Sequence, residues 1–548
     1  METREFGFCW EGFVYMQGVT AGAPSIQRLA EELPLNLSVA ASRLKGVYFL
    51  FVHDKQSGKR HAFVDSSGLF HAFYSDRFVS TSFLDLAATE GLAADDLDPD
   101  ALVEFFHFGH IAFRRTFFSA IRKIDPAHIV TFSEDGKVHL IPKPLPGIDA
   151  PPEQCLQDFL AILAGSITKE KISMDLTGGI DSRLLAVVLS YFGLPFEVAS
   201  SGVHGNTDLA IAEQVAAVLD RDLHITYHST AHMEHTLPEL FTLADGLFDI
   251  VRYHRAFQLQ RDRLRRDISL VLSGTGGELF KDFWWLQDFP FYSRKRPDLQ
   301  RLYSFRIAPT ELKHAYLSDQ YRALSEDYRQ RLLQKLSDFV VAGNTQTYDQ
   351  IYYNFKMREY AGRFMTNTAH LIQCYAPYLE RGAVACGYHL PRSRRFFNIF
   401  HRQTITRLCP EAAEITTTEG GVSVSSHMSK IAADLSKYAT NKLARLTRKI
   451  GQQVLGRSYL RDESPDHPEL YSHVRRIVTI RKSLERLKDH HIINGNTEIK
   501  EVEDGYLGNI LTLDMLLEAL QCIPSIKPTV SSSVSISRPQ VPQQVTRD

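Results

Sequence analysis

Residues 175–185, which read DLTGGIDSRLL, restrict the fold of this chain more than any other stretch. An apolar segment ending at Leu176 precedes the glycines and predicts a short buried strand, and the apolar run that follows, to Leu189, predicts a helix. The segment Thr177-Gly178-Gly179 is therefore predicted to be a strand-to-helix turn in an α/β fold.

The chemistry of this turn indicates an anion site. Two glycines allow a tight turn that exposes successive backbone N–H groups, and the helix adds the positive end of its dipole. Thr177 and Ser182 can donate hydroxyl hydrogen bonds to pyrophosphate, whereas Asp181 would repel a bare phosphate unless Mg²⁺ lay between them. The alternative is a glycine turn that only packs an α/β crossover.

Three segments resemble one known family. The order Thr-Gly-Gly-Ile-Asp-Ser resembles the Ser-Gly-Gly-x-Asp-Ser loop of the N-type ATP pyrophosphatases, which cleave ATP between the α and β phosphates. Residues 270–283, LVLSGTGGELFKDF, are similar to the asparagine synthetase segment Leu-Ser-Gly-Glu-Gly-Ala-Asp-Glu-Leu-Phe but one residue shorter. Residues 373–380, QCYAPYLE, resemble that family's Glu-x-Arg-x-Pro-Phe-Leu-Asp. The three segments occur in the order found in asparagine synthetases.

The resemblance implies ATP and Mg²⁺ as cofactors and a set of site residues. Asp181 and Glu278 are the implied metal ligands, and Asp181, Ser182, Glu278 and Lys430 are the candidate catalytic residues. Adenine is expected against Val198 and ribose near Ser273 and Gly274, although buried strand residues at these points are equally well explained as core. The candidate nucleotide-binding residues are Leu176, Thr177, Gly178, Gly179, Asp181, Ser182, Val198, Ser273, Gly274 and Gly276.

Two departures from the family pattern weaken the transfer of asparagine chemistry. Gln373 stands where the family has a glutamate, and an amide cannot act as a base. The lysine expected near residues 415–425 is missing, so either Lys430, the first lysine after them, or an arginine replaces it, or the reaction is impaired. The alternative for Lys430 is a surface helix residue. Arg358 and Arg363 precede the third segment and are candidates to face departing pyrophosphate.

The first part of the chain resembles the glutaminase domain of glutamine-dependent asparagine synthetases. Residues 46–54, then 65–70 and Tyr74, look like its paired strands. Glutamine hydrolysis in that family needs a cysteine directly after the initiator methionine, and residue 2 is Glu. Cys9 could become N-terminal by processing, but buried strand cysteines are usually inert. The domain is therefore expected to be a degenerate, inactive one.

The fold class predicted is α/β, with an N-terminal α+β Ntn-glutaminase-like sandwich and a C-terminal doubly wound parallel-sheet ATP pyrophosphatase domain with a helical extension. At 548 residues the chain is too long for one ordinary core. Prolines at residues 142–152 predict a linker. The expected domains are residues 1–147 and 151–525, followed by a disordered tail over 526–548 that is rich in Ser, Pro, Val and Gln.

Composition excludes several partner classes. A formal net charge of −2 gives no field toward nucleic acid or an anionic membrane. No apolar run approaches the roughly 20 residues that cross a bilayer, and the N-terminus lacks an apolar signal core, so the cytoplasm is expected.

The six cysteines lie far apart without Cys-x-x-Cys pairing and are predicted to be reduced residues without a metal.

The function that the resemblance implies is amide ligation. A substrate carboxylate attacks the α-phosphorus of ATP, pyrophosphate leaves into the turn at residues 177–182, and an amine then displaces AMP. Family relatives without glutaminase activity include β-lactam synthetases and lasso-peptide macrolactam synthetases. The substrates expected are a small-molecule or peptide carboxylate and an amine. The alternatives are an asparagine synthetase fed by ammonia or by a separate glutaminase, and a nucleotide-binding pseudoenzyme or scaffold.

Overall fold

The computed structural model describes residues 1–281, 296–308, 314–418, 421–440 and 468–521. The predicted tail over 526–548 and Cys522 lie outside these residues. The other five cysteines are all free thiols. Among the described residues, no helix combines the length and apolarity needed to cross a membrane.

In the described parts of the chain, strands form two large sheets and one small one. In chain order they are β1 Phe6–Met16, β2 Leu44–Asp54, β3 Arg60–Val64, β4 Phe73–Tyr74, β5 Val79–Ser80, β6 Arg122–Lys123, β7 His128–Phe132, β8 Val138–Pro142, β9 Ile172–Asp175, β10 Glu197–Gly202, β11 Leu223–Tyr227, β12 Leu270–Leu272 and β13 Gln373–Tyr375.

Helices surround these sheets and dominate the second half of the chain. They are α1 Ala23–Glu32, α2 Leu37–Ser42, α3 Phe83–Glu90, α4 Pro99–Phe108, α5 Leu156–Ser166, α6 Ile180–Tyr191, α7 Thr207–Val218, α8 Met233–Ala244, α9 Ile250–Arg265, α10 Leu299–Leu302, α11 Asp319–Ser337, α12 Asn344–Ile351, α13 Gly362–Ala369, α14 Arg381–His389, α15 Arg392–Arg395, α16 Ile399–Leu408, α17 Pro410–Glu414, α18 (described over 428–440), α19 Pro468–Val474, α20 Val478–Asp489 and α21 Asp504–Gln521. A π-helical stretch, Tyr352–Ala361, joins α12 to α13.

The N-terminal sheet is antiparallel in the order β1-β2-β3-β7-β8. Its longest pairing matches Phe6 with Asp54 and Met16 with Leu44. The predicted strand over residues 65–70 is wrong: β3 ends at Val64, and the carboxylate of Asp65 then accepts the backbone N–H groups of Leu69 and Phe70. This side chain closes a turn because an aspartate competes well with sheet hydrogen bonding.

The C-terminal sheet is parallel in the order β11-β10-β9-β12-β13. The chain moves outward from β9 first through β10 and β11, and then crosses to β12 and β13 on the other side. The strand order therefore reverses between β9 and β12, and in such sheets ligands bind beyond the carboxyl ends at this point. The predicted strand, turn and helix around the first glycine turn are confirmed as β9 and α6.

The two sheets share one hydrophobic core. Phe13 and Tyr15 of β1 pack on Tyr375 of β13, with ring centroids 5.3 and 5.8 Å apart respectively. One cluster of buried side chains runs from β1 to beyond α17. The proline-dense segment between β8 and α5 therefore connects two parts that are packed together, and the boundary proposed at residues 147–151 stays a prediction.

Candidate active site

The first glycine turn joins β9 to α6 and is held by its own side chains. The hydroxyl of Ser182 accepts the backbone N–H of Thr177 at 3.1 Å, and the hydroxyl of Thr177 accepts that of Gly179 at 3.2 Å. Thr177 is exposed and Gly179 is half-buried, so the turn opens to solvent at the start of a helix of 12 residues. This arrangement can present the hydroxyls of Thr177 and Ser182 to an anion at the N-terminus of the helix.

Asp208 closes one side of this turn. Its Oδ1 accepts the backbone N–H of Gly178 at 3.0 Å and the hydroxyl of Thr418, also at 3.0 Å. The N–H of Thr418 in turn donates to the carbonyl of Gly178 at 3.3 Å. A Cβ on Gly178 would lie 2.6 Å from Asp208 Oδ1 and 2.8 Å from Thr418 Cγ2. The stretch in which the family lysine was expected therefore packs directly on the turn.

The second glycine turn, after β12, lies against the first. A Cβ on Gly274 would come within 2.8 Å of Ser182 Cα, and one on Gly277 within 2.6 Å of Asp181 Cβ. Gly276 has φ +95°, a backbone conformation that other residues rarely adopt. The hydroxyls of Ser273 and Thr275 are 2.8 Å apart at the open side of this turn. The two turns thus form a single crevice between β9 and β12.

Asp181 lies at the bottom of this crevice between two basic side chains. Lys281 Nζ is 2.7 Å from Asp181 Oδ2, and His401 Nε2 is 2.9 Å from Asp181 Oδ1, without the alignment of a hydrogen bond. Burial alone would raise the pKa of Asp181, but Lys281 and His401 outweigh it and lower the pKa to about 2. Asp181 is therefore a carboxylate at neutral pH.

Glu278 is the second acidic residue of the crevice. Its Oε2 accepts the hydroxyl of Tyr352 at 2.7 Å. Burial and the charge of Asp181 raise the pKa of Glu278, and Lys281 opposes that rise. Asp181 and Glu278 are thus close enough to influence each other, as the sequence predicts.

The described side chains of this crevice do not by themselves complete a Mg²⁺ site, because Mg²⁺ in nucleotide sites is held by one or two carboxylates together with substrate phosphates. Mg²⁺ needs near-octahedral oxygen ligands at about 2.0–2.1 Å. Both carboxylate oxygens of Asp181 already contact nitrogen cations or donors, and Glu278 is bound by Tyr352. Within the described parts of the chain, no group of three or more His, Cys, Asp or Glu side chains is placed to hold a metal ion.

Buried arginines fix the surroundings of the crevice. Arg183, on the helix that follows the first turn, donates to the carbonyls of Ala412, Ile415 and Thr416 at 2.6–3.2 Å and so anchors the segment over the turn. Arg395 donates to the carbonyl of Lys281 at 3.2 Å and forms two hydrogen bonds with Asp349. The crevice is therefore held in shape from both sides.

Two predicted site residues, and the glutamine that departs from the family pattern, lie away from the crevice opening. Val198 is fully buried near the start of β10, which continues to Gly202, so the core interpretation explains it rather than adenine contact. The side chain of Leu176 is also in the core. Gln373 is exposed at the amino end of β13 and pairs with Leu270 at the amino end of β12. The glycine turns lie at the other end of these strands.

The basic residues proposed from the sequence also lie elsewhere. Lys430 is half-buried at the start of α18, and among the described contacts it makes no hydrogen bond or ion pair with Asp181 or Glu278. Arg358 donates to the carbonyl of Ser67 at 3.4 Å, and Arg363 to that of Ala244 at 3.0 Å. The expectation that these arginines face pyrophosphate is therefore not supported by their contacts.

Sequence reasoning missed Lys281, His401, Asp208 and Thr418. Lys281 lies within the quoted segment 270–283, directly after the part that matches the family pattern, and no motif pointed to it. His401 belongs to no motif and meets Asp181 only because α16 packs on α6. Asp208 is the second residue of α7, where an acidic residue is ordinary for a helix N-terminus.

Comparison with known proteins gives one match. Residues 164–370 match the family model described as asparagine synthase. A search of curated proteins found no match. The matched span includes both glycine turns, Asp181, Glu278 and Lys281, and it ends before residues 373–380 and His401.

Proposed function

Because residues 164–370 place the chain in the asparagine synthase family, we propose that it is an ATP-dependent, AMP- and pyrophosphate-forming amide ligase. The substrate carboxylate is adenylated and then coupled to an amine. Enzymes of this family generally use ATP and Mg²⁺.

The observation that carries this proposal is the approach of the two glycine turns at the point where the strand order reverses. Neither Gly274 nor Gly277 has room for a side chain, because Ser182 and Asp181 lie directly against them. A crevice that only packed two crossovers would not need donors on its open side. Here Thr177 is exposed and the hydroxyls of Ser273 and Thr275 are half-buried at its rim.

The residues of the chain would act on the phosphates by binding and orientation. The hydroxyls of Thr177 and Ser182 donate to pyrophosphate oxygens, and the N-terminus of α6 stabilises the charge that develops as the α–β bond breaks. The Ser182 hydroxyl accepts the N–H of Thr177 and lies 3.1 Å from the Thr177 hydroxyl, so the two hydroxyls are held together before the reaction and little reorganisation is needed.

The nitrogen source is proposed to be an amine or free ammonia. Cys9 lies inside β1 and pairs with Phe51 of β2, so it is part of a sheet strand rather than a chain terminus. The N-terminal sheet instead packs on the parallel sheet through Phe13, Tyr15 and Tyr375. This supports a structural role for the first part of the chain.

Exchange of labelled pyrophosphate into ATP tests the proposal. The purified protein is incubated with ATP, Mg²⁺ and a panel of carboxylates that begins with aspartate, and the label in ATP is measured. Exchange that depends on a carboxylate and is lost in Ser182→Ala supports adenylation. Amide formation from aspartate and ammonia would identify an asparagine synthetase. Absence of pyrophosphate exchange with every carboxylate in the panel would contradict the proposal.

A nucleotide-binding pseudoenzyme is the second candidate, and one contact favours it. The carboxylate of Asp208 already accepts the N–H of Gly178, a group that an anion in the turn would use. If the chain is a pseudoenzyme, it binds ATP but catalyses no pyrophosphate exchange. Equilibrium binding of ATP, measured beside the exchange assay, distinguishes the two candidates.

A further inference from the structure

The proline-dense segment between β8 and α5, residues 143–155, lies along helix α14 and is called the connecting segment below. Side chains of α14 bind backbone carbonyls of this segment at 2.8, 2.8 and 3.0 Å: Arg381 binds Pro146, His389 binds Asp149, and Cys386 binds Gln154. These hydrogen bonds hold the connecting segment on one helix at both of its ends and in its middle.

Two free thiols meet where the connecting segment enters α5. The thiol of Cys386 donates to the carbonyl of Gln154 at 3.0 Å, and Cys155 is the next residue. A carbonyl oxygen lies about 2.8 Å from the following Cα in a trans peptide, so Cys386 Sγ is within about 6 Å of Cys155 Cα. The Cα atoms of a disulfide are about 4.4–6.8 Å apart, so side-chain rotation with a small movement of the connecting segment can join the two sulfurs.

The two thiols differ in their surroundings. Cys155 is exposed at the N-terminus of α5, and its thiol donates to Asp158 Oδ2 at 3.0 Å. Cys386 is half-buried, and burial, together with the nearby Cys155, raises the pKa of its thiol to about 11. A dissolved oxidant therefore reaches Cys155 first, while Cys386 remains a protonated thiol beside it at neutral pH.

We propose that Cys155 and Cys386 form a reversible disulfide when the chain meets hydrogen peroxide, and that this bond fixes the connecting segment on α14. The sulfur of Cys155 takes one oxygen from peroxide and becomes a sulfenic acid, and one water molecule is released. The sulfur of Cys386 loses its proton and bonds to the sulfur of Cys155, whose hydroxyl group leaves as a second water molecule. Two thiols are oxidised to one disulfide as one peroxide molecule is reduced to two water molecules.

The bond lies next to the candidate active site. Gly387, the neighbour of Cys386, packs on the second glycine turn, because a Cβ on it would lie 3.0 Å from the carbonyl oxygen of Leu279. Leu279 belongs to the 3₁₀ turn Gly277–Phe280, and α14 packs both on this turn and on α5. Oxidation thus joins the connecting segment covalently to a helix that supports the crevice.

Peptide mapping after mild oxidation tests the pairing. The reduced full chain is treated with an equimolar amount of hydrogen peroxide, blocked with N-ethylmaleimide and digested with trypsin without a reductant. Residues 138–169 and 382–392 are tryptic peptides that contain one cysteine each. Mass spectrometry should find them linked, lighter than their sum by two hydrogen atoms, and dithiothreitol should separate them. Absence of this linked pair, whether or not Cys155 is oxidised, would overturn the proposal.

Cysteine variants separate this pairing from general oxidation. In Cys386→Ser, dimedone, which traps sulfenic acid, should label Cys155 because no second thiol closes the bond. Cys409→Ser is the matched control, since Cys409 is also half-buried and its thiol also contacts a carboxylate, that of Glu411, at 3.8 Å. It should keep the linked peptides. Loss of the link in Cys409→Ser, or no dimedone on Cys155 in Cys386→Ser, would overturn the proposal.

Hydrogen exchange measures the effect of the bond on the connecting segment. Backbone amides over residues 146–155 should exchange about tenfold more slowly in the oxidised wild type than in the reduced wild type, because the bond restricts local opening. Cys155→Ser treated with the same peroxide should show no such change. Equal exchange rates in the linked and reduced wild type, or equal slowing in Cys155→Ser, would overturn the proposal that the disulfide fixes this segment.

Discussion

The carboxylate of Asp208 accepts the backbone N–H of Gly178 at 3.0 Å, inside the turn that is proposed to receive pyrophosphate. Two negatively charged groups therefore compete for one donor. The same oxygen accepts the hydroxyl of Thr418, so a ligand that displaced Asp208 would also break this contact with the 416–418 segment.

Asp208→Asn is expected to tighten pyrophosphate binding. The amide oxygen can still accept from Gly178 and Thr418, while removal of the charge ends its repulsion with phosphate. One like charge in a partly exposed site is worth about 1 kcal/mol, which corresponds to about fivefold in affinity. Calorimetric titration with pyrophosphate measures it, and weaker binding would show that the charge organises the turn rather than opposing the ligand.

Gly274→Ala is expected to separate the two glycine turns. The new methyl group would lie 2.8 Å from Ser182 Cα, a backbone atom that cannot move without displacing α6. Overpacking of this kind costs about 2 kcal/mol, and ATP binding should be lost with it. Chemical denaturation and ATP titration provide the readouts. Gly165→Ala is the control, since a Cβ there meets nothing within 4 Å and alanine favours the helix.

Arg183→Met is expected to release the segment that covers the first turn. The arginine is fully buried, and burial lowers the pKa of its guanidinium to about 10. Its loss leaves the carbonyls of Ala412, Ile415 and Thr416 without their donor, at a cost of about 3 kcal/mol. Faster hydrogen exchange over residues 412–418 would accompany the loss. Unchanged exchange there would show that other contacts hold the segment.

Stability is expected to fall as the pH drops from 7 to 5 because of two buried histidines. Burial lowers the pKa of His61 and His254 from 6.5 to about 4, so the unfolded chain binds protons that the folded chain does not. The free energy of unfolding is therefore undiminished by these histidines above pH 6.5, and it falls progressively as the pH decreases toward 4. Each histidine should cost about 2 kcal/mol at pH 5. Urea unfolding of the wild type and of His61→Phe at both pH values measures the change in the free energy of unfolding between pH 7 and pH 5. This change should be smaller in the variant.

Gln373→Glu is expected to change pyrophosphate exchange by less than about twofold. Gln373 is exposed at the amino end of β13, whereas the glycine turns follow the carboxyl ends of β9 and β12. A carboxylate at this position would be screened by water and remote from the phosphates. A large increase in exchange would show that the glutamate of the family pattern acts from this position after all.

The local parts of the fold could be predicted from the sequence because they depend on neighbouring residues. An apolar strand, two glycines and an apolar helical run specify β9, the turn and α6 within residues 172–191, and the structure confirms them. The prediction for residues 65–70 was wrong because one carboxylate, that of Asp65, captured backbone donors that strand pairing would otherwise have used.

The residue types of the first turn thus determined, without further information, that a tight turn would form between a strand and a helix and that Asp181 would stand beside it. Only the tertiary structure decided what Asp181 contacts. Lys281, just after the glycine turn that follows β12, and His401 of α16 each contact one of its two oxygens. The strand order of the sheet and the packing of the helices bring these distant segments together. Local periodicity carries no information about such contacts, so the charge balance of the crevice became visible only in the folded chain.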